Sequence, residues 1–225
     1  MIITDSLGAP RKDKEIIFFH DTWPAMVFNL MQNEKKYYNF IYTQKALDTD
    51  ELRRLVDMNL DLYDKDFVFI HIGIVDCVRR VFSKKALKTI SIIPVIRDVI
   101  NFIARKYHKK ITKLYNVNYV PVARFNSNIN YILSKFSESK KIYIIPIIPA
   151  GSIQQSKSHK VQEQILLYNN SLKEIANNFN NVEYLEGIYK SFFPIDDKNY
   201  TSDGYHISKN GHIIIYNYLQ NIINQ

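Results

Sequence analysis

Two continuous apolar runs constrain the fold of this chain more than any other feature. They are residues 66–72 (DFVFIHI) and residues 141–148 (KIYIIPII). Strands that are buried on both faces have continuous apolar sequences, whereas strands with one wet face alternate. We therefore expect both runs to be central strands of a parallel sheet. Pro146 cannot donate to a strand ladder, so the sequence does not fix where the second run ends.

The remaining segments alternate strands with helices. Further strands are predicted at the N-terminal Ile2-Ile3, at residues 37–43 and at residues 182–185. Helices are predicted at residues 25–31 with Asp21 or Thr22 as cap, from a Thr49 or Asp50 cap to Leu60, at 122–136, at 159–179, and at 211–223 with Ser208 as cap. Residues 11–15 are predicted to be a loop and 188–199 to be irregular. This alternation predicts a three-layer α/β/α sandwich with a mostly parallel, flavodoxin-like sheet.

The composition restricts the domain plan and the compartment. No Pro/Gly/Ser-rich linker divides the 225 residues, so we expect one domain over residues 1–225, with a basic helical insertion at about 79–140. The single cysteine, Cys77, excludes an internal disulfide and a zinc site built on several thiolates. Because no signal-peptide pattern or membrane-length apolar run is visible, we expect a cytoplasmic protein, with the inner membrane face as a peripheral alternative.

The net charge of +8 is concentrated in the middle of the chain. Residues 79–141 carry fifteen Lys/Arg against two acids, so this block holds +13 and the remainder −5. Such a block suits an anionic polymer or a membrane surface, but it also suits a helix with an apolar core-facing stripe and a solvated basic face. The stripe comprises Ile92, Ile93, Ile96, Val99, Ile100 and Ile103, with Arg97, Arg105 and Lys106 elsewhere on the helix surface. No nucleic-acid motif is visible, so we expect no nucleic-acid partner.

Ser6 is the candidate nucleophile. It follows the N-terminal strand in MIITDSLGAPR, where a glycine-containing turn presents its hydroxyl at the end of a sheet. A serine needs a base, and TSDGYHIS near the other end of the chain offers one. There Asp203 precedes His206 by three residues, so one loop supplies both an imidazole and the carboxylate that orients it.

These segments together resemble the SGNH (GDSL-like) hydrolase superfamily. The matching blocks are DSLGAPR at residues 5–11, GIVD at 73–76 and DGYH at 203–206, the last followed by Gly211-His212. The resemblance implies that Ser6 is the nucleophile, His206 the general base and then acid, and Asp203 the orienting carboxylate. It also implies acyl transfer through an acyl-serine.

The chain departs from the family in its oxyanion donors. Thr4 stands where the family has a glycine before Asp-Ser, and Val75 stands where it has an asparagine. No glycine occurs between Gly8 and Gly73, so the second-block glycine is missing. The backbone N–H of Ser6 remains as a donor. The candidate replacements and substrate contacts are Arg11, Gly73, Asp76, Arg79 and Arg80, with Arg11 or Arg79 preferred because a guanidinium supplies fixed donors and a permanent charge.

Other polar residues have structural alternatives. His71 lies within an apolar strand and is interpreted as a core histidine. His212 is interpreted as structural, and Asp21 as a helix cap rather than a partner of His20. Asp76 is balanced between binding substrate and shaping the turn after Gly73.

The function predicted from these observations is a serine esterase that removes O-acyl groups, O-acetyl above all, from a carbohydrate. The form HIGIVDC resembles SGNH proteins associated with bacterial surface-polysaccharide synthesis. A polysaccharide O-acetyltransferase would use the same triad, so the sequence leaves it open. A module of another class, inactive and binding glycan or membrane, is also left open. We expect no metal and no cofactor, with an acyl donor such as acetyl-CoA only for a transferase.

Overall fold

In the computed structural model, short strands alternate with helices along the chain. The structure describes residues 1–34, 40–60, 65–83, 86, 98, 100, 102–104, 106–114 and 117–224. In chain order the named elements are β1 (Ile2–Thr4), β2 (Arg11–Lys12), β3 (Ile16–Ile17), α1 (Trp23–Glu34), β4 (Ile41–Thr43), α2 (Thr49–Asp57), β5 (Phe67–His71), α3 (Ile74–Cys77), α4 (His108–Leu114), α5 (Val122–Lys135), β6 (Lys141–Ile144), α6 (Ser152–Lys157), α7 (Val161–Ala176), β7 (Val182–Tyr184), α8 (Glu186–Lys190) and α9 (Lys209–Ile223).

Five strands form one parallel sheet in the order β4-β1-β5-β6-β7. The continuous apolar run at 66–72 becomes β5, the middle strand, which confirms the prediction of a central position. Its register aligns Thr4 of β1 with His71 of β5. β4 and β5, the two strands that flank β1, therefore end beside Thr4, which precedes Asp5-Ser6.

Helices cover both faces of the sheet. Successive residues of a strand point to opposite faces, so neighbouring strand residues join different cores. Ile3 and Ile70 belong to a core shared with α2, α5 and α7. Ile2 and Phe69 belong to a second core shared with α1, α8 and α9. The predicted three-layer α/β/α architecture is confirmed.

The second apolar run forms a strand shorter than its sequence. β6 ends at Ile144, two residues before Pro146. Beyond the proline, the side chain of Asn169 on α7 takes over the hydrogen bonds that a neighbouring strand would make. Its Oδ1 accepts the N–H of Ile147, and its Nδ2 donates to the Ile147 carbonyl, both at 2.8 Å. A side-chain amide thus replaces a backbone partner in the buried segment after β6.

One predicted helix cap is wrong. Asp48, not Thr49 or Asp50, caps α2 by accepting the N–H of Glu51, and the helix ends at Asp57 rather than Leu60.

At α1, Thr22 directly precedes the helix, and its carbonyl accepts the N–H of Met26 at 3.0 Å. The N–H of Trp23 donates to His212 Nδ1 at 3.2 Å, a contact that no local pattern predicts. Asp21, the other predicted cap, accepts the N–H of Phe18 and pairs with Lys209.

Several boundaries differ from the prediction, and two segments differ in type. Residues 11–17 form a β2–β3 hairpin instead of a loop, and 188–199 contain the end of α8 and a 3-10 turn at Asp197–Asn199. β4 begins at Ile41, and residues 37–39 of the predicted strand lie outside the described residues. α7 spans Val161–Ala176 and α1 continues to Glu34, whereas α5 and α9 follow their predicted positions and Ser208 caps α9.

The basic block is described in part. α4 and α5 lie within it, as the helical prediction requires, while Ile92, Ile93, Ile96, Arg97, Val99 and Arg105 lie outside the described residues. The domain plan of one unit with an insertion at 79–140 stays a prediction. Among the described residues, no helix is both long enough and apolar enough to cross a bilayer.

Candidate active site

Ser6 lies at the carboxyl ends of the parallel strands. Residues Ser6–Gly8 form a single 3-10 turn directly after β1. The Asp5 carboxylate accepts the N–H of Leu7 at 2.8 Å, and a Cβ added to Gly8 would lie 2.4 Å from Cγ2 of Thr4. The tight turn therefore needs glycine at that position. It presents the serine at the end of the sheet at which α/β folds bind ligands.

His206 and Asp203 complete a hydrogen-bonded chain with Ser6. Ser6 Oγ lies 2.9 Å from Nε2 of His206, across 200 residues of sequence. His206 Nδ1 lies 2.6 Å from Oδ2 of Asp203. With the Nδ1 proton held by the carboxylate, Nε2 is free to accept the serine proton, which is the arrangement of a general base.

The loop that carries the base is shaped by the same carboxylate. Asp203 Oδ1 accepts the N–H groups of Tyr205 and His206 at 2.8 and 2.9 Å. Gly204 adopts φ +74°, and the Thr201 N–H closes the loop on the His206 carbonyl. One aspartate thus both folds the loop and orients the imidazole on it.

Electrostatics keep this carboxylate ionised. Partial burial by itself would raise the pKa of Asp203, but hydrogen bonds from the His206 ring and backbone outweigh it and hold the pKa well below its usual value. The charged form is therefore the one that faces His206, ready to stabilise an imidazolium.

A second carboxyl behind the nucleophile behaves in the opposite way. Asp5 is fully buried, and this burial raises its pKa to about 8, assisted by the charge of Asp76 and opposed by the Leu7 hydrogen bond. At neutral pH it is a neutral group. Asp5 therefore has a structural role in the nucleophile turn and does not compete with Asp203 for His206.

The structure places Asp76 in the protein interior. Its Oδ1 accepts hydrogen bonds from the backbone N–H and the hydroxyl of Thr49, at 3.0 and 2.6 Å. These bonds join α3 to the start of α2. Burial raises its pKa to about 7. The contacts of the side chain are thus with the start of α2, and a role of Asp76 in binding substrate stays a prediction. Gly73 precedes it with φ +119°, where a Cβ would lie 2.7 Å from Cδ1 of Ile147.

Arg11 contacts Asp203, the predicted orienting carboxylate. Its Nη1 lies 3.8 Å from Asp203 Oδ2, with both side chains partly exposed. The role of Arg11 as an oxyanion donor stays a prediction, and the contact that the structure shows is with the carboxylate. Arg79 is also partly exposed, and its charge acts on His159, toward the basic surface.

Sequence reasoning missed Asp13. From the tip of the β2–β3 hairpin, its carboxylate accepts the N–H of Ser202 at 2.7 Å and the Ser202 hydroxyl at 2.7 and 2.8 Å. Glu15 in the same hairpin accepts the N–H of Lys209 at 2.9 Å. The hairpin is thereby hydrogen-bonded to both ends of the loop that carries Asp203 and His206, which we call the catalytic loop. Only the proximity of two acids to the nucleophile block could have suggested this.

The turn after β4 also escaped the sequence analysis. Ala46 adopts φ 58°, a left-handed conformation that ordinarily favours glycine, and its side chain is exposed. β4 pairs with β1, so this turn follows a strand that ends beside Thr4. The chain therefore makes this left-handed turn with an alanine, and no glycine in the sequence marks it.

The structure places His71 and His212 in the protein interior, as the sequence predicts. His71 is fully buried beside Trp23, with ring centroids 5.8 Å apart, and burial lowers its pKa to about 3. His212 is buried and holds the start of α1. Neither is available as a catalytic base at the surface.

Comparison with solved structures identifies the fold. A variant of Axe2, an acetyl-xylooligosaccharide esterase from Geobacillus stearothermophilus, matches with a TM-score of 0.63 at 16% identity, covering 100% of this chain and 93% of that one. A lipase/acylhydrolase from Enterococcus faecalis matches with a TM-score of 0.59 at 16% identity, covering 99% and 94%. The esterase EstA from Pseudoalteromonas sp. matches with a TM-score of 0.59 at 12% identity, covering 99% and 96%.

No protein-family model and no curated protein sequence matches the chain. At these identities the structural matches establish the fold. The chain therefore shares its fold with these esterases and this lipase/acylhydrolase, and this is the three-layer fold that the resemblance to the SGNH (GDSL-like) hydrolase superfamily implies.

Proposed function

We propose that this protein is a serine esterase that removes O-acyl groups, O-acetyl in particular, from a carbohydrate. The observation that carries the proposal is the continuous chain from Ser6 Oγ to His206 to Asp203, with distances of 2.9 and 2.6 Å. Nucleophile, base and orienting acid within hydrogen-bond reach are the geometric signature of nucleophilic acyl transfer.

The reaction follows from the positions of the protons. As Ser6 Oγ attacks an ester carbonyl, Nε2 of His206 takes its proton, and Asp203 stabilises the resulting imidazolium. His206 then protonates the leaving alkoxide, which frees the alcohol and leaves an acyl-serine. The same nitrogen then deprotonates a water molecule as it attacks the acyl group. When the bond between the acyl carbon and Ser6 Oγ breaks, His206 returns this proton to Ser6 Oγ and the acid is released.

The activity printed for one structural neighbour supports the carbohydrate substrate. Axe2 is an acetyl-xylooligosaccharide esterase, and this chain matches it over nearly the full length of both. The site is open rather than a deep tunnel, since the side chains of Arg11 and Asp203 at its rim are 25% and 40% exposed. An open site suits an ester that projects from a larger polymer.

Mutation of the triad tests the proposal. Ser6→Ala and His206→Ala should each lower turnover of an aryl acetate by about 10³-fold or more, and Asp203→Asn should lower it less completely. Release of acetate from acetylated xylooligosaccharide should fall in parallel. Ser134→Ala, an exposed serine on α5, is the matched control and should retain full activity.

Three outcomes would contradict the proposal in different ways. Activity near wild type in Ser6→Ala would exclude Ser6 as nucleophile. Failure of a fluorophosphonate probe to label Ser6 in the folded protein would favour an inactive binding module. Acetyl-sugar formation that replaces acetate release when an acceptor glycan is added would favour the O-acetyltransferase.

A further inference from the structure

A basic helix lies next to the catalytic side of the molecule. α4 spans His108–Leu114, and its helical hydrogen bonds continue upstream, because the N–H of Ile111 donates to Tyr107 and the N–H of Tyr107 donates to Ile103, both at 2.9 Å. Positions 103, 107, 110 and 114 therefore follow one another along a single face of this helix.

Four lysines crowd one side of the helix. Lys106, Lys109, Lys110 and Lys113 are exposed, and together with Tyr107 and His159 they line a surface groove of about 570 Å³. Within the part of the chain that the structure describes, none of the four forms a salt bridge. Their combined charge therefore faces solvent without compensation, which makes the groove a strongly positive surface.

Large apolar side chains are exposed on the same helix. Phe102 is 65% exposed, Ile103 46%, Tyr107 42% and Leu114 78%. A second groove of about 430 Å³ runs alongside with an almost entirely apolar lining, formed by Val81, Phe82, Ile100, Ile103, Ala104 and Ile111. Exposed apolar surface of this kind is unfavourable in water and marks a contact with another phase or molecule.

The two features together select one kind of partner. Lysines alone would suit any polyanion, including an acidic polysaccharide, but a hydrated polymer gives the Phe102 and Leu114 side chains no apolar surroundings. A bilayer with anionic lipids supplies both the negative headgroups and, just beneath them, the hydrocarbon. We propose that the surface formed by Phe102, Ile103, Lys106, Tyr107, Lys109, Lys110, Lys113 and Leu114 docks peripherally on an anionic membrane.

Docking would hold the active site close to the bilayer. His108 Nδ1 lies 3.2 Å from the carbonyl of Lys157, at the end of α6. From the same short helix, Gln154 hydrogen-bonds the Tyr205 hydroxyl, next to His206. The docking surface and the catalytic loop are thus linked through α6. Access to acylated glycans at the membrane rests on the proposed function, whereas the docking itself does not.

Vesicle co-sedimentation of the full chain tests the docking. The probes are vesicles of phosphatidylcholine alone and of phosphatidylcholine mixed with phosphatidylglycerol. Binding is expected only to the mixed vesicles. The triple variant Lys109→Ser, Lys110→Ser, Lys113→Ser should bind at least about tenfold more weakly, because each lysine near an anionic surface contributes to the attraction.

Matched variants separate local from general effects. Lys135→Ser, Lys190→Ser and Lys198→Ser together remove the same charge from exposed positions elsewhere and should bind within about twofold of wild type. Phe102→Ser with Leu114→Ser keeps the charge and should also weaken binding severalfold. Ser6→Ala should bind like wild type, so failure of catalysis and failure of docking are distinguishable.

Two results would overturn the proposal. One is equal binding to both kinds of vesicle by wild type and by the lysine triple variant. The other is tight binding to soluble polygalacturonate that is unchanged by Phe102→Ser with Leu114→Ser, which would assign the surface to an acidic polymer instead. Because the substituted lysine, phenylalanine and leucine side chains are exposed, unchanged circular dichroism and unfolding temperature are expected for these variants and verify the fold.

Discussion

At the scale of single residues, Arg11 is the side chain whose position and predicted role diverge most. A guanidinium in the nucleophile block was expected to meet the oxyanion, yet its Nη1 lies 3.8 Å from Asp203 Oδ2. This partly exposed pair has little direct energetic value, since solvent screens it. Its effect on catalysis depends on whether it acts through the carboxylate or on the substrate.

A double-mutant cycle distinguishes these roles. If Arg11 acts through Asp203, Arg11→Ala should lower kcat on an aryl acetate by only about three- to tenfold, and this effect should vanish in the Asp203→Asn background. A donor to the oxyanion would instead cost about 10²- to 10³-fold, in both backgrounds. Steady-state kinetics on the four proteins, with Lys12→Ala as neighbouring control, provides the measurement.

The hydrogen-bonded chain of Ser6, His206 and Asp203 could be predicted from the sequence because its members are local in two places. Asp203 and His206 share one loop, and Ser6 directly follows a strand. Asp76 could not be assigned, because its partner Thr49 lies 27 residues away and no local pattern pairs them. The contact between His212 and Trp23 spans 189 residues and was hidden for the same reason.

At the scale of elements, the β2–β3 hairpin is the part that the sequence did not predict. Two-residue strands have no measurable period, and residues 11–15 are polar, so a loop was the natural interpretation. Long-range hydrogen bonds from Asp13 and Glu15 stabilise the hairpin against the catalytic loop. By contrast, β5 was predictable because burial on both faces leaves a continuous apolar sequence.

Removing the hairpin anchor should slow catalysis without weakening binding. Asp13→Ala frees the Ser202 N–H and hydroxyl, so the loop that carries His206 loses its fixed position. We expect kcat to fall about tenfold with KM nearly unchanged. Asp13→Asn keeps one oxygen acceptor and should be intermediate.

Lys14→Ala alters the same hairpin tip but preserves the Asp13 contacts, and it should behave like wild type. A kcat for Asp13→Ala equal to that of Lys14→Ala would show that the hairpin does not position the base. These values are measured with a small aryl acetate, whose binding does not depend on glycan contacts.

At the scale of the whole molecule, buried ionisable groups tie stability to pH. Burial raises the pKa of Asp76 to about 7 and that of Asp5 to about 8, while it lowers the pKa values of His71 and His212 to about 3. The folded protein therefore keeps protons on two carboxyls and withholds them from two imidazoles. Between these pKa values the two effects oppose each other, so a comparison with a single isosteric variant is needed to separate them.

Asp76→Asn isolates one of these groups. The folded carboxyl retains its proton up to about pH 7, whereas the unfolded one releases it near its ordinary value of 3.8, so stability that is present below 3.8 is lost as the pH rises toward 7. The asparagine does not titrate and can still accept from Thr49. Its stability relative to wild type should therefore increase with pH, by up to about 1.4 kcal/mol per pH unit across that window.

Denaturant unfolding at about pH 4.5 and about pH 7.5 measures this difference. Asp66→Asn, which removes a partly exposed carboxylate paired with Lys140, is the control for the loss of one carboxylate outside the core. A relative stability of Asp76→Asn that stays constant or falls between the two pH values would mean that the buried carboxyl is ionised throughout.

The bond between Ser6 and His206 has a consequence for the timing of activity during synthesis. Ser6 is translated 200 residues before His206, its proposed base. β1 also needs β5 on one side before its end is fixed. A nascent chain therefore carries a serine without its partner until residue 206 has been made and its loop has reached the sheet, so the hydrogen-bonded chain of Ser6, His206 and Asp203 forms only late in folding.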